Sequence, residues 1–323
     1  MSPWTAKETS FRKLYLNNKG VDAFMCTDDK FSKDSIIVSK LPRLRDPVIL
    51  VEDGVYYAYG TDWVGFKNTS GDLRGTWEPL GVVAEKPVGS DTNYWAPEVH
   101  KHNGAYYMFT TYHSTETGHR GCTIMKSDAP EGPFKEITKG HITPHHWDAI
   151  DGTLYVDPNG QPWMIFVHEW TCIENGIGRM AIAKLSEDFT HFISEPVDIF
   201  SANDAPWVSG GVTDGPWMYR CKDGQLLMLW SSFDKNRGYA VGIARSADGR
   251  VDGVWTHDEK MLYSKAMLGT TYDGGHGMLF YDTDGQMYLS IHSPNSSKAG
   301  RVETPVFVPL HEENGTLVLG YSE

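Results

Sequence analysis

Basic runs, closely spaced cysteines and long apolar segments are all missing from this 323-residue chain. Its 29 Lys and Arg face 42 Asp and Glu, for a formal charge of −13. No Lys/Arg cluster stands against that balance, and a phosphate backbone would be repelled, so nucleic acid is excluded as a partner. The four cysteines, Cys26, Cys122, Cys172 and Cys221, include no CxxC pair and read as free thiols rather than a disulfide framework or a zinc site. No apolar run is long enough to cross a bilayer, which argues against a membrane partner. The opening MSPWTAKETSFRKL has no apolar leader core, so the chain reads as cytoplasmic, with a secreted protein already stripped of its leader as the alternative. No amphipathic helix longer than two turns stands out.

What is abundant is aromatic and turn chemistry: 11 Trp, 16 Tyr, 13 Phe, 33 Gly and 17 Pro. Aromatic residues favour strands and also make platforms for sugar rings. One unit recurs five times, at 45–61, 96–114, 149–170, 212–233 and 274–295. Each copy is a strand, a turn built on DG, NG, DPNG, KDG or TDG, and a second strand, the pattern of a tight hairpin. Copies begin about 50–65 residues apart, the length of a four-stranded propeller blade. GCTIMKS, RMAIAKL, YAVGIARS and TPVFVPL supply third strands, and GTLVLGY a fourth. The expected fold is all-β, a five-bladed β-propeller forming a single domain over 1–323, with 1–40 as a lead-in and ring-closing segment. A β-sandwich, the competing architecture, does not explain five first strands that open on polar residues; a propeller gathers those residues at one mouth of its channel.

Near the start of four first strands stand carboxylates, Asp46, Glu98, Asp151 and Asp214, and the fifth has His276. Any one Asp is ordinary strand-end or turn chemistry. A set repeated around an axis suits glycoside hydrolysis, which works with a pair of carboxyls flanking the scissile bond.

RDP (45–47), WAPE (95–98), AIDGTLY (149–155), TDGP (213–216) and GGHG (274–277), in this order, resemble glycoside hydrolase family 43, the arabinofuranosidase, xylosidase and arabinanase family. The resemblance covers the chain from about residue 40 onward. It implies that Asp46 is the general base, that Asp151 tunes and orients the acid, and that the acid lies at Asp214, where the family usually has Glu. Aspartate is one methylene shorter, which leaves Glu169 of HEW (168–170) as a rival acid or a substrate-binding residue. Glu98 is given no catalytic role. The resemblance also implies that His276 faces the channel and ligates a structural calcium with water, no cofactor being required for the chemistry; a histidine hydrogen-bonded without metal is the alternative. Trp95, Trp147, Trp170, Trp207, Trp217 and Phe233 lie beside these motifs as sugar platforms or core. Arg237 is a substrate-binding candidate by the same resemblance, or a surface arginine. DPNG (157–160) is similar to a nucleophile motif of the invertase-like family 32 propellers, but between two strands it is turn chemistry. The expected activity is inverting, exo-acting removal of a terminal sugar from an oligo- or polysaccharide, α-L-arabinofuranose first. β-D-xylosidase or galactan/galactoside hydrolase, and a non-catalytic carbohydrate-binding propeller, are the alternatives.

Overall fold

The computed structural model describes residues 33–270, 273–296 and 301–322. Five antiparallel sheets follow one another along the chain. Blade one is built from Val48–Glu52, Val55–Gly60, Val64–Asn68 and Glu78–Val82, and blade two from Ser90–His102, Ala105–Ser114, Arg120–Ser127 and Lys135–Glu136. Ala149–Val156, Pro162–His168, Arg179–Lys184 and Val197–Ser201 form blade three; Asp214–Arg220, Leu226–Phe233, Tyr239–Ser246 and Trp255–His257 form blade four. Blade five has Gly275–Tyr281, Met287–Ser293 and Thr304–Glu313. These are the blades of a five-bladed β-propeller.

Blade five has two fourth strands, where the repeats suggested one. Thr316–Leu319 folds back on the far end of Thr304–Glu313, while Ile37–Val38 pairs antiparallel with Phe307 and Val306 of that strand. Residues from both ends of the chain thereby share one sheet, and the ring is closed. The rest of the lead-in, residues 1–32, lies outside the described residues.

Each blade buries its middle strand on both faces. In blade three every residue of Pro162–His168 is buried, which is why PWMIFVH reads as continuous rather than alternating. The DPNG turn before it is held by the Asp157 carboxylate, which accepts N–H bonds from Asn159 (2.9 Å) and Gln161 (3.0 Å). That settles Asp157 as a turn residue. Cys122, Cys172 and Cys221 are free thiols; Cys26 is outside the described residues.

One backbone feature recurs at the axis. Asp46, Ala96, Asp151, Gly215 and His276 all have positive φ, between 40° and 56°. In blades two to five the register of the innermost pair slips there, the mark of a β-bulge. Each bulge re-aims its residue towards the channel. Left-handed backbone costs about 1–3 kcal/mol at a non-glycine residue, and Asp tolerates it better than most.

Candidate functional site

The bulge corrects the alignment of the repeats. Asp46, Asp151 and His276 are structurally equivalent, but Asp214 precedes its ring position, Gly215, by one residue, and Glu98 follows Ala96 by two. The spacing of motifs could not show this, because Pro or Gly follows every bulge residue and the slip is a property of backbone dihedrals. Asp214 therefore shares a tier with Arg45, Trp95, Ile150 and Gly275, and four of these five line one cavity of about 310 Å³. The tier below supplies its floor: Asp46, Asp151 and His276 line the same cavity and are 5 %, 4 % and 3 % exposed. Glu98 lies one step deeper, fully buried, 3.5 Å from His100 Nε2, and burial pushes its carboxyl up to about 8. It takes no place on the cavity wall.

The three aspartates meet opposite environments. Burial works against ionisation of Asp46, but the neighbouring cationic and imidazole groups outweigh it and hold this carboxyl far below the usual carboxylate range. His276 Nδ1 is 3.4 Å and Arg45 Nε 3.6 Å from its Oδ1, and Thr61 donates to its Oδ2 at 2.7 Å. His292 contributes through its Nδ1, which lies 3.3 Å from Asp46 Oδ1 and is also within 3.3 Å of the Asp46 backbone nitrogen. Its Nε2 faces the Asn295 amide oxygen at 3.1 Å, so His292 is oriented at both nitrogens.

Asp151 and Asp214 shift the other way. Burial and then the Asp46 charge raise Asp151 well above its ordinary value, although the Gly215 N–H donates to its Oδ2 at 2.9 Å. Burial and then Asp151 raise Asp214 to about 7, opposed in part by the Tyr239 hydroxyl, which donates to Asp214 Oδ2 at 2.9 Å. One cavity thus holds a carboxylate that stays ionised and a carboxyl poised to carry a proton near neutrality, the division of labour that acid–base chemistry requires.

The remaining candidates divide. Trp95, Trp170 and Phe233 line the cavity. Trp207 is core between blades three and four, Trp217 stacks on His100 with ring centroids 5.5 Å apart, and Trp147 stacks on His168. Glu169 lines the cavity but its Oε2 is 2.7 Å from Arg120 Nε. Arg237 does not belong to the wall: it sits exposed in the hairpin turn between Leu226–Phe233 and Tyr239–Ser246, with its backbone N–H on the Asp234 carbonyl. Arg45 is the arginine on the wall. It lies within RDP and could have been noticed there; Tyr239 and Asn295 carry no local sequence signal, because only the closed ring brings them to the mouth.

The resemblance to family 43 sets calcium beside His276. Its Nε2 is buried and has no hydrogen-bond partner among the described residues, as a single imidazole ligand would require. Among the described residues no group of three or more His, Cys, Asp or Glu could hold a metal, so the residues fit only a water-rich ion, supported by one protein nitrogen.

A closed five-bladed propeller with this carboxyl set at one mouth is the architecture of a carbohydrate-cleaving enzyme. The family model "Glycosyl hydrolases family 43" matches residues 38–307, and the chain belongs to that family of glycoside hydrolases. A solved endo-arabinase from Bacteroides thetaiotaomicron is 38 % identical, covers 85 % of this chain and 96 % of its own, and superposes with a TM-score of 0.76. The extracellular exo-α-(1→5)-L-arabinofuranosidase ArbA of Cellvibrio japonicus is 27 % identical over 46 % of this chain and 45 % of its own length. The extracellular endo-α-(1→5)-L-arabinanase 1 of Bacillus subtilis is 23 % identical over 72 % and 73 %. The chain thus matches under half the length of the first of these two curated relatives. Among the described residues no helix is long and apolar enough to cross a membrane.

Proposed function

We propose that the protein hydrolyses α-(1→5)-linked L-arabinofuranosyl chains with inversion, releasing arabinofuranose from a chain end. The observation that carries the reading is the contrast between Asp46, held ionised, and Asp214, raised to about 7, in one cavity. Asp46 takes a proton from the attacking water while Asp214, which burial keeps from ionising early, protonates the departing oxygen. Inversion requires the two carboxyls about 6.5–9.5 Å apart, leaving room for water between base and sugar. Glu169 is the weaker acid candidate: burial raises its carboxyl, but the Arg120 guanidinium on its Oε2 works in favour of the ionised form. A compact cavity floored by buried residues suits a terminal sugar, and the names of the relatives supply the arabinan substrate.

A panel of nitrophenyl arabinofuranoside, xyloside and galactoside tests the sugar, with β-D-xylose and galactosides as the competing substrates. Proton NMR of the first-formed anomer tests inversion. Release of arabinose alone from linear arabinan supports the exo mode. Early appearance of internal oligosaccharides would establish the endo mode instead, the reading favoured by the 38 % identical endo-arabinase. The word extracellular in the names of two relatives supports export rather than the cytoplasmic location expected from the amino terminus.

Two further results are expected. Tyr239→Phe removes a hydrogen bond that favours ionised Asp214. The acid works only while protonated, so kcat/KM falls as pH rises through about 7. In the variant this alkaline limb moves up by about half a unit to one unit; a limb that stays put, or moves down, separates Tyr239 from the acid. The second concerns a water-ligated calcium next to His276, which would knit inner strands together without touching the scissile bond. Chelation should then lower the Tm while leaving kcat little changed. An unchanged Tm together with no metal by elemental analysis makes His276 a channel histidine and no more.

A further inference from the structure

We infer that Arg120 is a positioning residue of the sugar site, fixing Glu169 and the Trp95 indole as one hydroxyl-binding and stacking wall beside the scissile bond. The inference rests on the carbohydrate reading and not on which sugar is cleaved.

Arg120 opens the third strand of blade two, and its guanidinium crosses to blade three. Nε donates to Glu169 Oε2 at 2.7 Å and Nη2 to Thr171 Oγ1 at 3.0 Å, with Asp148 Oδ2 3.3 Å away. The backbone N–H of Arg120 donates to Asp148 Oδ1 at 2.9 Å, and the Thr171 hydroxyl donates to Asp148 Oδ2 at 3.2 Å. On its other side the guanidinium carbon lies 5.8 Å from the Trp95 ring centroid, within cation–π range. One planar fork therefore fixes a carboxylate and an indole that come from different blades and line the same cavity.

An inter-blade brace has no need to stand on the cavity wall. This one does, and both of its partners have the chemistry that sugars select. An ionised carboxylate only accepts hydrogen bonds and offers about four lone-pair positions, so Glu169 can hold Arg120 and still accept from ring hydroxyls. The indole face presents a flat apolar surface to the C–H face of the ring. Arginine supplies this where lysine would not, because only the planar fork can bond the carboxylate along its edge while its face meets the indole.

The groups facing Glu169 are Arg120 from blade two, with Asp148, Asp151 and the Thr171 hydroxyl from blade three; His119 Nδ1 lies 3.5 Å from Asp148. Burial pushes Glu169 up, and Arg120 is the chief force against it. Without the guanidinium, Glu169 would take up a proton at higher pH and become a donor where an acceptor is needed.

Arg120→Met, Arg120→Lys and Glu169→Gln should be compared on an arabino-oligosaccharide and on a nitrophenyl arabinofuranoside. Arg120→Met is expected to raise KM for the oligosaccharide about tenfold or more, with kcat within a few-fold. The rise should be largest at acid pH and shrink as pH increases. Glu169→Gln should show the same split without that pH trend, and the double variant should be no worse than the worse single. Arg120→Lys, which keeps the charge and loses the fork, should restore the pH profile and only part of the KM. Arabinotriose binding to the Asp46→Asn protein, with and without Arg120→Met, reads the same wall by calorimetry without turnover. A tenfold loss of affinity there supports the inference even if no substrate in the panel is cleaved. A lower Tm with unchanged KM and unchanged affinity would reduce Arg120 to a structural brace and overturn the proposal. So would a collapse of kcat on the oligosaccharide that spares the nitrophenyl substrate, since Glu169 would then be the acid.

Discussion

Asp46→Asn is expected to lower kcat by about 10²–10⁴-fold on every substrate, activated or not, the range associated with losing a general base. The water must be deprotonated whatever leaves, so no choice of leaving group rescues this variant. Asparagine is also the right replacement on structural grounds. Position 46 has φ 54°, and Asn is among the few residues at ease in left-handed backbone, whereas Ala would add strain to the chemical loss. The amide oxygen can still accept the Thr61 hydroxyl that now reaches Asp46 Oδ2 at 2.7 Å. Circular dichroism and the melting profile should therefore stay close to those of the parent. Retention of more than a few per cent of the activity would place the base elsewhere and undo the assignment of RDP.

Asp214→Ala should behave in a different way. Its backbone is outside the positive-φ set, so alanine reports the loss of the carboxyl alone. Natural sugars depart as alkoxides and need the proton; dinitrophenyl groups leave as stable anions and do not. The variant is expected to lose about 10²–10⁴-fold on arabino-oligosaccharides and to keep most of its activity on the dinitrophenyl glycoside. The alkaline limb near pH 7 should vanish with the carboxyl, because Asp214 is the group raised to about 7 in this cavity. Glu169→Ala, run on the same two substrates, decides between the candidates. Leaving-group dependence there, and none in Asp214→Ala, would transfer the role of acid to Glu169.

The fold was legible because propeller blades are written locally. DG, NG and DPNG turns between apolar strands need no tertiary information, and five of them at blade spacing define the ring. Asp46, Asp151 and His276 were legible for the same reason, each standing beside the Pro or Gly that follows its bulge. What the sequence could not carry is relations across the ring. Nothing near Arg237 says that its hairpin turns it towards solvent, and nothing near Tyr239 says that its hydroxyl ends on Asp214. The pairing of Arg120 with Glu169 joins residues 49 positions apart, and spacing alone has no rule for such a pair. Asp214 stands one residue before the ring position of its blade, an offset the motif does not display because a bulge shifts side chains without changing any motif.

Closure of the ring also has a consequence in time. Asp46 is among the first residues of the propeller to leave the ribosome, yet His292, whose Nδ1 lies 3.3 Å from its Oδ1, is made 246 positions later. Asn295, which orients His292, follows three residues after that, and the strand that pairs with Ile37–Val38 comes later still. Chains tend to fold from the amino terminus as they are synthesised, so the parts of the acid's environment that blades three and four supply, Asp151 and Tyr239, can assemble before the surroundings of the base are complete. An unfinished propeller would own a proton donor and no finished site for activating water. Such a chain is silent towards its substrate until the last blade meets the first, and the appearance of turnover during refolding should coincide with closure of the ring rather than with collapse of the individual blades.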